Sequence, residues 1–114
     1  MWVRRAFAAH DYERSNPAMY VVTNKLTVPP ENAARLEEGF AHANERMRDV
    51  PGCLHFTLLR EEGVDGSPIY IAMTNWEDEA AFQAWITSDN FRRSHANAGD
   101  SGAMGEVHSY TAVF

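Results

Sequence analysis

The chain has 114 residues, 45% of them hydrophobic and 23% charged, and its formal net charge is −6. Length and composition are those of one ordinary globular domain with a single core. The negative charge and the lack of any basic block in the sequence argue against nucleic acid as a partner, because a phosphate backbone would be repelled on average. A single cysteine, Cys53, excludes an intramolecular disulfide and a cysteine-based zinc site.

Two further features bear on location and domain boundaries. The apolar runs are far too short to span a membrane, and the one cysteine favours a reducing, cytoplasmic setting. Residues 1–18, MWVRRAFAAHDYERSNPA, have arginines among their apolar residues and lack a continuous hydrophobic region, so a secretory signal is not expected. We therefore expect an N-terminal arm over 1–18 and one folded domain over 19–114.

The segment Tyr20–Val28 is rich in β-branched residues and is predicted to be the first strand. Side chains alternate along a strand, and its more apolar face carries Tyr20, Val22, Asn24, Leu26 and Val28. Asn24 is thus a polar residue on the face expected to be buried, where an unpaired amide costs roughly 1–3 kcal/mol. Two interpretations stay open: a structural asparagine bonded to a neighbouring strand or loop, or an asparagine directed into a cavity at a ligand.

A helix and a pair of strands are predicted next. Glu31–Val50 follows two prolines and repeats apolar residues at alternating spacings of three and four, which indicates an amphipathic helix with one buried stripe. Cys53–Arg60 and Ile69–Trp76 alternate as strands, joined by a polar loop with two glycines. In the first of these strands the alternation places three apolar residues on one face: Leu54, Phe56 and Leu58.

The last third of the chain predicts a broken helical region and a final strand. Asp78 is the expected N-cap of a helix, and the sequence Ser88-Asp89-Asn90 is expected to end that helix and cap another. In the second helix Phe91, His95 and Ala98 share one face. Small residues follow, and residues 106–114, EVHSYTAVF, alternate as a strand.

The predicted order is strand, helix, strand, strand, helix, strand. This is the ferredoxin-like arrangement, an α+β fold in which an antiparallel sheet carries both helices on one face. Apolar residues occur on both faces of several strands, for example at Leu58 and Leu59 and at Tyr110 and Val113. Burial of both sheet faces is therefore expected, which predicts a homodimer whose sheets face each other.

No catalytic motif in the sequence accounts for His95. The sequence has no glycine-rich phosphate loop, nucleophile elbow or HExxH motif. Its five histidines lack tight metal-ligand spacing, although a nonheme site built from three of them stays open. His95 lies on a nonpolar helix face just before a loop of small residues, which could close over a flat ligand. A satisfied packing histidine is the alternative.

Four sequence stretches resemble the antibiotic biosynthesis monooxygenase superfamily, whose subunits form dimeric α+β barrels. They are VVTNKLTV, PGCLHFTLLR, TNWEDEAAFQAW and SDNFRRSHANA. Within the superfamily the chain is most similar to the IsdG-type heme-degrading monooxygenases. The combination of Asn24, Trp76 and His95 carries this closer resemblance.

The resemblance implies a role for each of these residues. His95 matches the proximal ligand of the heme iron, Asn24 the amide that donates a hydrogen bond on the oxygen side, and Trp76 the indole that ruffles the porphyrin. Neutral imidazole suits iron, and distortion of the macrocycle tunes its reactivity. Phe91 and Arg92 would join the heme site, with Arg92 or Arg93 as a propionate anchor.

The leading hypothesis is O2-dependent heme degradation with iron release, in which heme is cofactor and substrate and a reductase or ascorbate supplies electrons. One alternative is a cofactor-free monooxygenase of the same superfamily that acts on a polycyclic aromatic or a quinol. Another is a protein that binds or passes on heme without catalysis. Neither nucleic acid nor a membrane is expected as a partner.

Overall fold

The computed structural model describes residues 18–62, 66–94 and 104–114. Within these ranges the chain forms four strands and three α-helices. In chain order they are β1 (Tyr20–Thr27), α1 (Ala33–Met47), β2 (Cys53–Glu62), β3 (Pro68–Trp76), α2 (Glu79–Ile86), α3 (Asp89–Ser94) and β4 (Met104–Thr111). The predicted order is confirmed, with α2 and α3 as the two parts of the broken helical region.

The four strands form one antiparallel sheet in the order β2-β3-β1-β4. This confirms the predicted ferredoxin-like topology, in which the two central strands are separated along the chain by a helix and an edge strand. The predicted N-terminal arm, residues 1–18, lies outside the described residues except for Ala18. No helix within 18–62, 66–94 and 104–114 is long and apolar enough to cross a membrane.

The core lies between one face of the sheet and the helices, and we call this face the helix-covered face. Val22, Leu26 and Val28 of the first strand region are 7%, 8% and 1% exposed, which confirms the predicted apolar face. One buried cluster joins Val22 to Met47 of α1, and a second joins Val28 to Leu36 and other residues of that helix. Burying this apolar surface is what holds the helices on the sheet.

The first helix is shorter than the pattern predicts, although its stripe is correct. Residues Pro30–Asn32 form a 3-10 turn before α1, and the helix ends at Met47. Proline is tolerated in such a first turn because its missing N–H would have no partner there. Val50, 7% exposed, still reaches the core from the turn that follows the helix.

Of the three residues predicted to share one face of β2, Leu54 is more exposed than Phe56 and Leu58. The register shifts between Cys53 and His55, so Leu54 falls in an irregularity of the strand and is 54% exposed. An extra residue at a bulge reverses the side-chain alternation on one side of it. Phe56 and Leu58 keep the predicted orientation and pack against the core.

Two side chains cap the starts of α2 and α3, as predicted. Asp78 Oδ1 accepts a hydrogen bond of 2.8 Å from the backbone N–H of Ala81 at the start of α2. Ser88 Oγ accepts one of 3.2 Å from the backbone N–H of Phe91 in α3. Such caps satisfy amides that have no partner within their own helix.

The opposite face of the sheet, which we call the second face, carries apolar side chains that the described helices do not cover. Leu59 of β2 is 45% exposed and Tyr110 of β4 is 53% exposed. Between them Val21, Ile71 and Met73 are only half-buried. The homodimer stays a prediction, and the second face is the surface through which it would form.

Candidate functional site

Asn24 lies on the helix-covered face of β1, opposite Ala72 of β3 and Val107 of β4. Its Oδ1 is buried, and no donor among the described residues lies within hydrogen-bond distance of it. A structural asparagine would be paired in such a position, because an unpaired buried amide oxygen costs roughly 1–3 kcal/mol. The unpaired oxygen favours an asparagine that serves a ligand, and the role of Asn24 stays a prediction.

Among the described residues, few side chains cover the side of the helix-covered face around Asn24. Val107, its neighbour on β4, is 64% exposed. Helix α1 packs chiefly on β2, at the far edge of the sheet. Ala72, on the other side of Asn24, is small and 9% exposed. Asn24 thus has small or apolar neighbours on the strands at either side of it.

Trp76 ends β3, as predicted, and its indole is fully buried, with 0% exposure. The indole Nε1 donates a 2.8 Å hydrogen bond to Thr74 Oγ1. Its ring packs against Phe82 with centroids 5.7 Å apart and against Trp85 at 5.4 Å. Protein surrounds the indole on every side, so contact with a bound ligand requires one of these neighbours to move.

A series of aromatic contacts connects Trp76 to α3. Trp85 of α2 contacts Trp76 on one side and Phe91 of α3 on the other, where the ring centroids are 4.8 Å apart at 88°. Edge-to-face contacts of this kind are favourable for aromatic rings. The structure thus brings Trp76 and Phe91, two of the predicted site residues, into one cluster.

Asn24 and Trp76 share the helix-covered face but are not adjacent. Trp76 lies opposite Tyr20, and Asn24 is four residues further along β1. At about 3.3 Å per residue, this offset is roughly 13 Å along the sheet. The two side chains can therefore contact the same ligand only if that ligand is broad.

His95 lies outside the described residues, immediately after α3 ends at Ser94. Arg92 of α3 is described: its guanidinium pairs with Asp89, and its side chain is 72% exposed. A propionate anchored by Arg92 would therefore compete with Asp89 for the same cation. Exposed ion pairs at this spacing contribute little to stability, so replacing Asp89 with a propionate as the partner of Arg92 costs little free energy.

A separate groove between α1 and β2 was missed by sequence reasoning. Two adjoining cavities of about 430 Å³ and about 320 Å³ share Asn44 and Phe56 in their walls. Neither is lined by Asn24, Trp76 or Phe91. At one end Tyr70, which is 1% exposed, donates a 2.5 Å hydrogen bond to Glu37 Oε2. The alternation of β3 places Tyr70 on the helix-covered face, which is the signal that could have identified it.

The described residues include neither an activated cysteine nor a cluster of metal ligands. Cys53 is half-buried, and burial raises the pKa of its thiol, which keeps it from acting as a thiolate nucleophile near neutral pH. Within the described ranges no three His, Cys, Asp or Glu side chains are grouped so as to hold a metal ion. His10 and His95 lie outside those ranges.

A comparison with known families matches residues 19–97 to the antibiotic biosynthesis monooxygenase family. The match covers β1 to the end of α3, and therefore every candidate residue discussed above. The chain belongs to this family. The resemblance inferred from its sequence motifs is confirmed.

Curated relatives of this family member include two heme oxygenases. The mycobilin-producing heme oxygenase of Mycobacterium tuberculosis is 42% identical over 65 residues, 57% of this chain and 60% of the relative. The chain thus matches about three fifths of that relative's length. The staphylobilin-producing heme oxygenase of Staphylococcus epidermidis is 29% identical over 83 residues, 73% of this chain and 79% of the relative.

Solved structures similar to this monooxygenase-family chain include enzymes of both predicted types. A variant of SnoaB, a cofactor-independent oxygenase from Streptomyces nogalater, has a TM-score of 0.70 at 30% identity, covering 85% of this chain and 95% of that one. A heme-degrading protein of M. tuberculosis with two hemes bound in its active site has a TM-score of 0.64 at 31% identity, covering 83% and 96%. Fold similarity alone therefore does not choose between them.

Proposed function

We propose that this chain degrades heme by an O2-dependent reaction that opens the porphyrin and releases iron, with heme as both cofactor and substrate. The mycobilin-producing relative, at 42% identity, supports heme as the substrate. Electrons would come from an external donor, a reductase or ascorbate. A cytoplasmic setting, favoured by the single cysteine, would supply such a donor.

The unpaired carboxamide of Asn24 is the observation that carries the proposal. Its Oδ1 is buried beside an apolar strand surface, with no donor from the described residues within reach. A protein tolerates this cost where the group serves a ligand. A carboxamide can both accept and donate, so it can orient a polar species at the face of a bound ring.

The remaining described residues fit a flat aromatic ligand. Trp85 and Phe91 supply an apolar flank between Trp76 and the end of α3. His95 follows Phe91 by four residues, and a neutral imidazole is a suitable ligand for heme iron. Heme, once bound, supplies the redox chemistry that the side chains themselves lack.

Each residue then has a distinct task. His95 would hold the heme iron, and Asn24 would offer a hydrogen bond to a polar species at the bound ring. Trp76 would contact the ring once a neighbouring aromatic side chain moves. Arg92 would bind a propionate in exchange for Asp89, its present partner. The role of His95 rests on the similarity to heme-degrading relatives, and the other roles rest also on the geometry around each residue.

A hemin titration tests the proposal. We expect a Soret band that saturates near one heme per subunit in the wild type and is lost in His95→Ala. His42→Ala is the matched control, because His42 is an exposed residue of α1. A wild-type protein without a saturable band would refute heme binding, and an unchanged band in His95→Ala would refute the assigned ligand.

Catalysis is then separated from heme transport by adding ascorbate under oxygen. Degradation predicts bleaching of the Soret band with iron release, and a large loss of rate in Asn24→Ala and Trp76→Ala. A protein that only carries heme would keep its spectrum under the same conditions. Iron release is followed with a ferrous chelator, so that bleaching by random oxidation is recognised.

A cofactor-independent oxygenase is the second candidate: a similar solved structure is of this type, and one observation of the site favours it. SnoaB is 30% identical to this chain with a TM-score of 0.70. The complete burial of Trp76 also leaves less room for a ligand as broad as heme. In that case the hemin titration fails, while a polycyclic aromatic or quinol substrate supports oxygen uptake without added metal.

We also propose a homodimer formed through the second face of the sheet. Half-buried apolar side chains of the two central strands lie on this face: Val21, Ile71 and Met73. The exposed fractions of Leu59 and Tyr110, 45% and 53%, supply apolar surface on either side.

A further inference from the structure

Gly105 of β4 lies directly against the carboxamide of Asn24. A Cβ atom built at Gly105 would be 2.9 Å from Asn24 Oδ1 and 3.3 Å from Leu26 Cδ2. The first distance is closer than side-chain atoms normally approach. The Asn24 carboxamide therefore occupies the volume that any side chain at position 105 would need.

The backbone conformation at position 105 does not require glycine. The glycines with positive φ among the described residues are Gly52 and Gly66, whereas Gly105 sits in the regular antiparallel pairing of β4 with β1. Glycine weakens a strand interior, so a glycine without a conformational requirement usually marks a close approach of another group. Here that group is the carboxamide of Asn24.

We propose that Gly105 is a positioning residue for Asn24, an inference that rests on the proposed function for its catalytic consequence. The missing side chain lets the carboxamide lie toward β4 instead of standing up from the sheet. A methyl group at position 105 would push it toward the helices, where the ligand is proposed to bind. A displacement of about 1 Å at a reacting group can cost on the order of 10²-fold in rate.

The substitution Gly105→Ala should leave the fold intact. The closest atom is the tip of a short side chain that can rotate away, and Leu26 has to yield by only a few tenths of an ångström. Gly39→Ala is the matched control, because nothing lies within 4 Å of a Cβ at that exposed position of α1. Both variants should show wild-type far-UV circular dichroism.

The position of the carboxamide is read directly by NMR in protein without ligand. The side-chain NH2 resonances of Asn24 are assigned as the pair lost in Asn24→Asp. We expect Gly105→Ala to shift this pair, and Gly39→Ala to leave it in place. If the pair stays at its wild-type position in Gly105→Ala, the proposal is overturned.

Turnover of hemin-loaded protein with ascorbate tests the consequence. We expect Gly105→Ala to lower kcat on the order of 10²-fold while the hemin dissociation constant changes little. In the Asn24→Ala background the same substitution should have no further effect, because its target is gone. Equal losses in both backgrounds would show that Gly105 acts other than through Asn24.

These measurements distinguish the failure of either proposal. If wild-type protein binds no hemin, the proposed function fails, and the positioning role is still decided by the Asn24 resonances. If hemin binds and is degraded but Gly105→Ala turns over at the wild-type rate, the positioning role fails alone.

Discussion

Trp76 Nε1 donates a 2.8 Å hydrogen bond to Thr74 Oγ1, two residues earlier on the same face of β3. Both residues are buried, with exposures of 0% and 8%. The bond fixes the rotation of an indole that also contacts Phe82 and Trp85. An indole held in this way is a rigid wall, and any movement that admits a ligand beside it begins with its aromatic neighbours.

Thr74→Val should lower the free energy of unfolding by roughly 1–3 kcal/mol, because the buried indole N–H loses its acceptor while the side-chain shape is kept. Chemical denaturation measures this loss. Thr111→Val is the control, since Thr111 is exposed at the end of β4, and its effect should stay within about 0.5 kcal/mol. Equal unfolding midpoints for Thr74→Val and wild type would contradict the role of the hydrogen bond.

Asn24→Leu should stabilise the ligand-free protein and abolish its activity. Leucine has nearly the same shape as asparagine, and the change removes a buried oxygen without a partner among the described residues. We expect a gain of about 1 kcal/mol in the free energy of unfolding. Thermal unfolding and hemin turnover are measured on the same preparation. A destabilised Asn24→Leu would indicate that the carboxamide is satisfied in the native protein.

The stability of the protein should decline above pH 10 in a way that depends on Tyr70. Burial, and then the hydrogen bond to Glu37, raises the pKa of Tyr70 above its ordinary value of 10.0. The folded state thus holds this proton more tightly than the unfolded chain does. Its contribution to stability is complete below pH 10 and is lost as the pH rises through the folded-state pKa.

Tyr70→Phe should make that alkaline decline shallower, because phenylalanine has no proton to lose. At neutral pH the same variant should be less stable by about 1 kcal/mol, since the hydrogen bond to Glu37 is gone. Urea unfolding between pH 7 and pH 11 measures both effects. An unchanged slope above pH 10 would show that other groups govern the alkaline transition.

Leu59→Lys should dissociate the proposed homodimer. Leu59 is 45% exposed on the second face, where a lysine would place a charge within the interface. Leu54→Lys is the matched control, because Leu54 is 54% exposed at the irregular start of the same strand. Sedimentation velocity should show a monomer for the first variant and a dimer for the second. A wild-type protein that sediments as a monomer would refute the dimer itself.

Local sequence signals were sufficient for most of the fold. Strand alternation predicted the buried face of β1, and the polar caps Asp78 and Ser88 predicted the start of α2 and α3. Both signals act over a few residues, so they are readable without knowledge of distant contacts. The irregularity at Leu54 was not predicted, because a bulge depends on pairing with β3, which the alternation of one strand does not report.

Within the candidate site, the sequence by itself determined which residue types are present and that Asn24 belongs to the buried face of its strand. Only the tertiary structure decided that its Oδ1 lacks a partner among the described residues, that Trp76 is fully enclosed, and that Gly105 faces Asn24. The physical reason is the distance along the chain over which each kind of signal acts. Alternation and capping are set by neighbours along the chain, whereas burial, hydrogen-bond satisfaction and close approach depend on strands and helices brought together by folding.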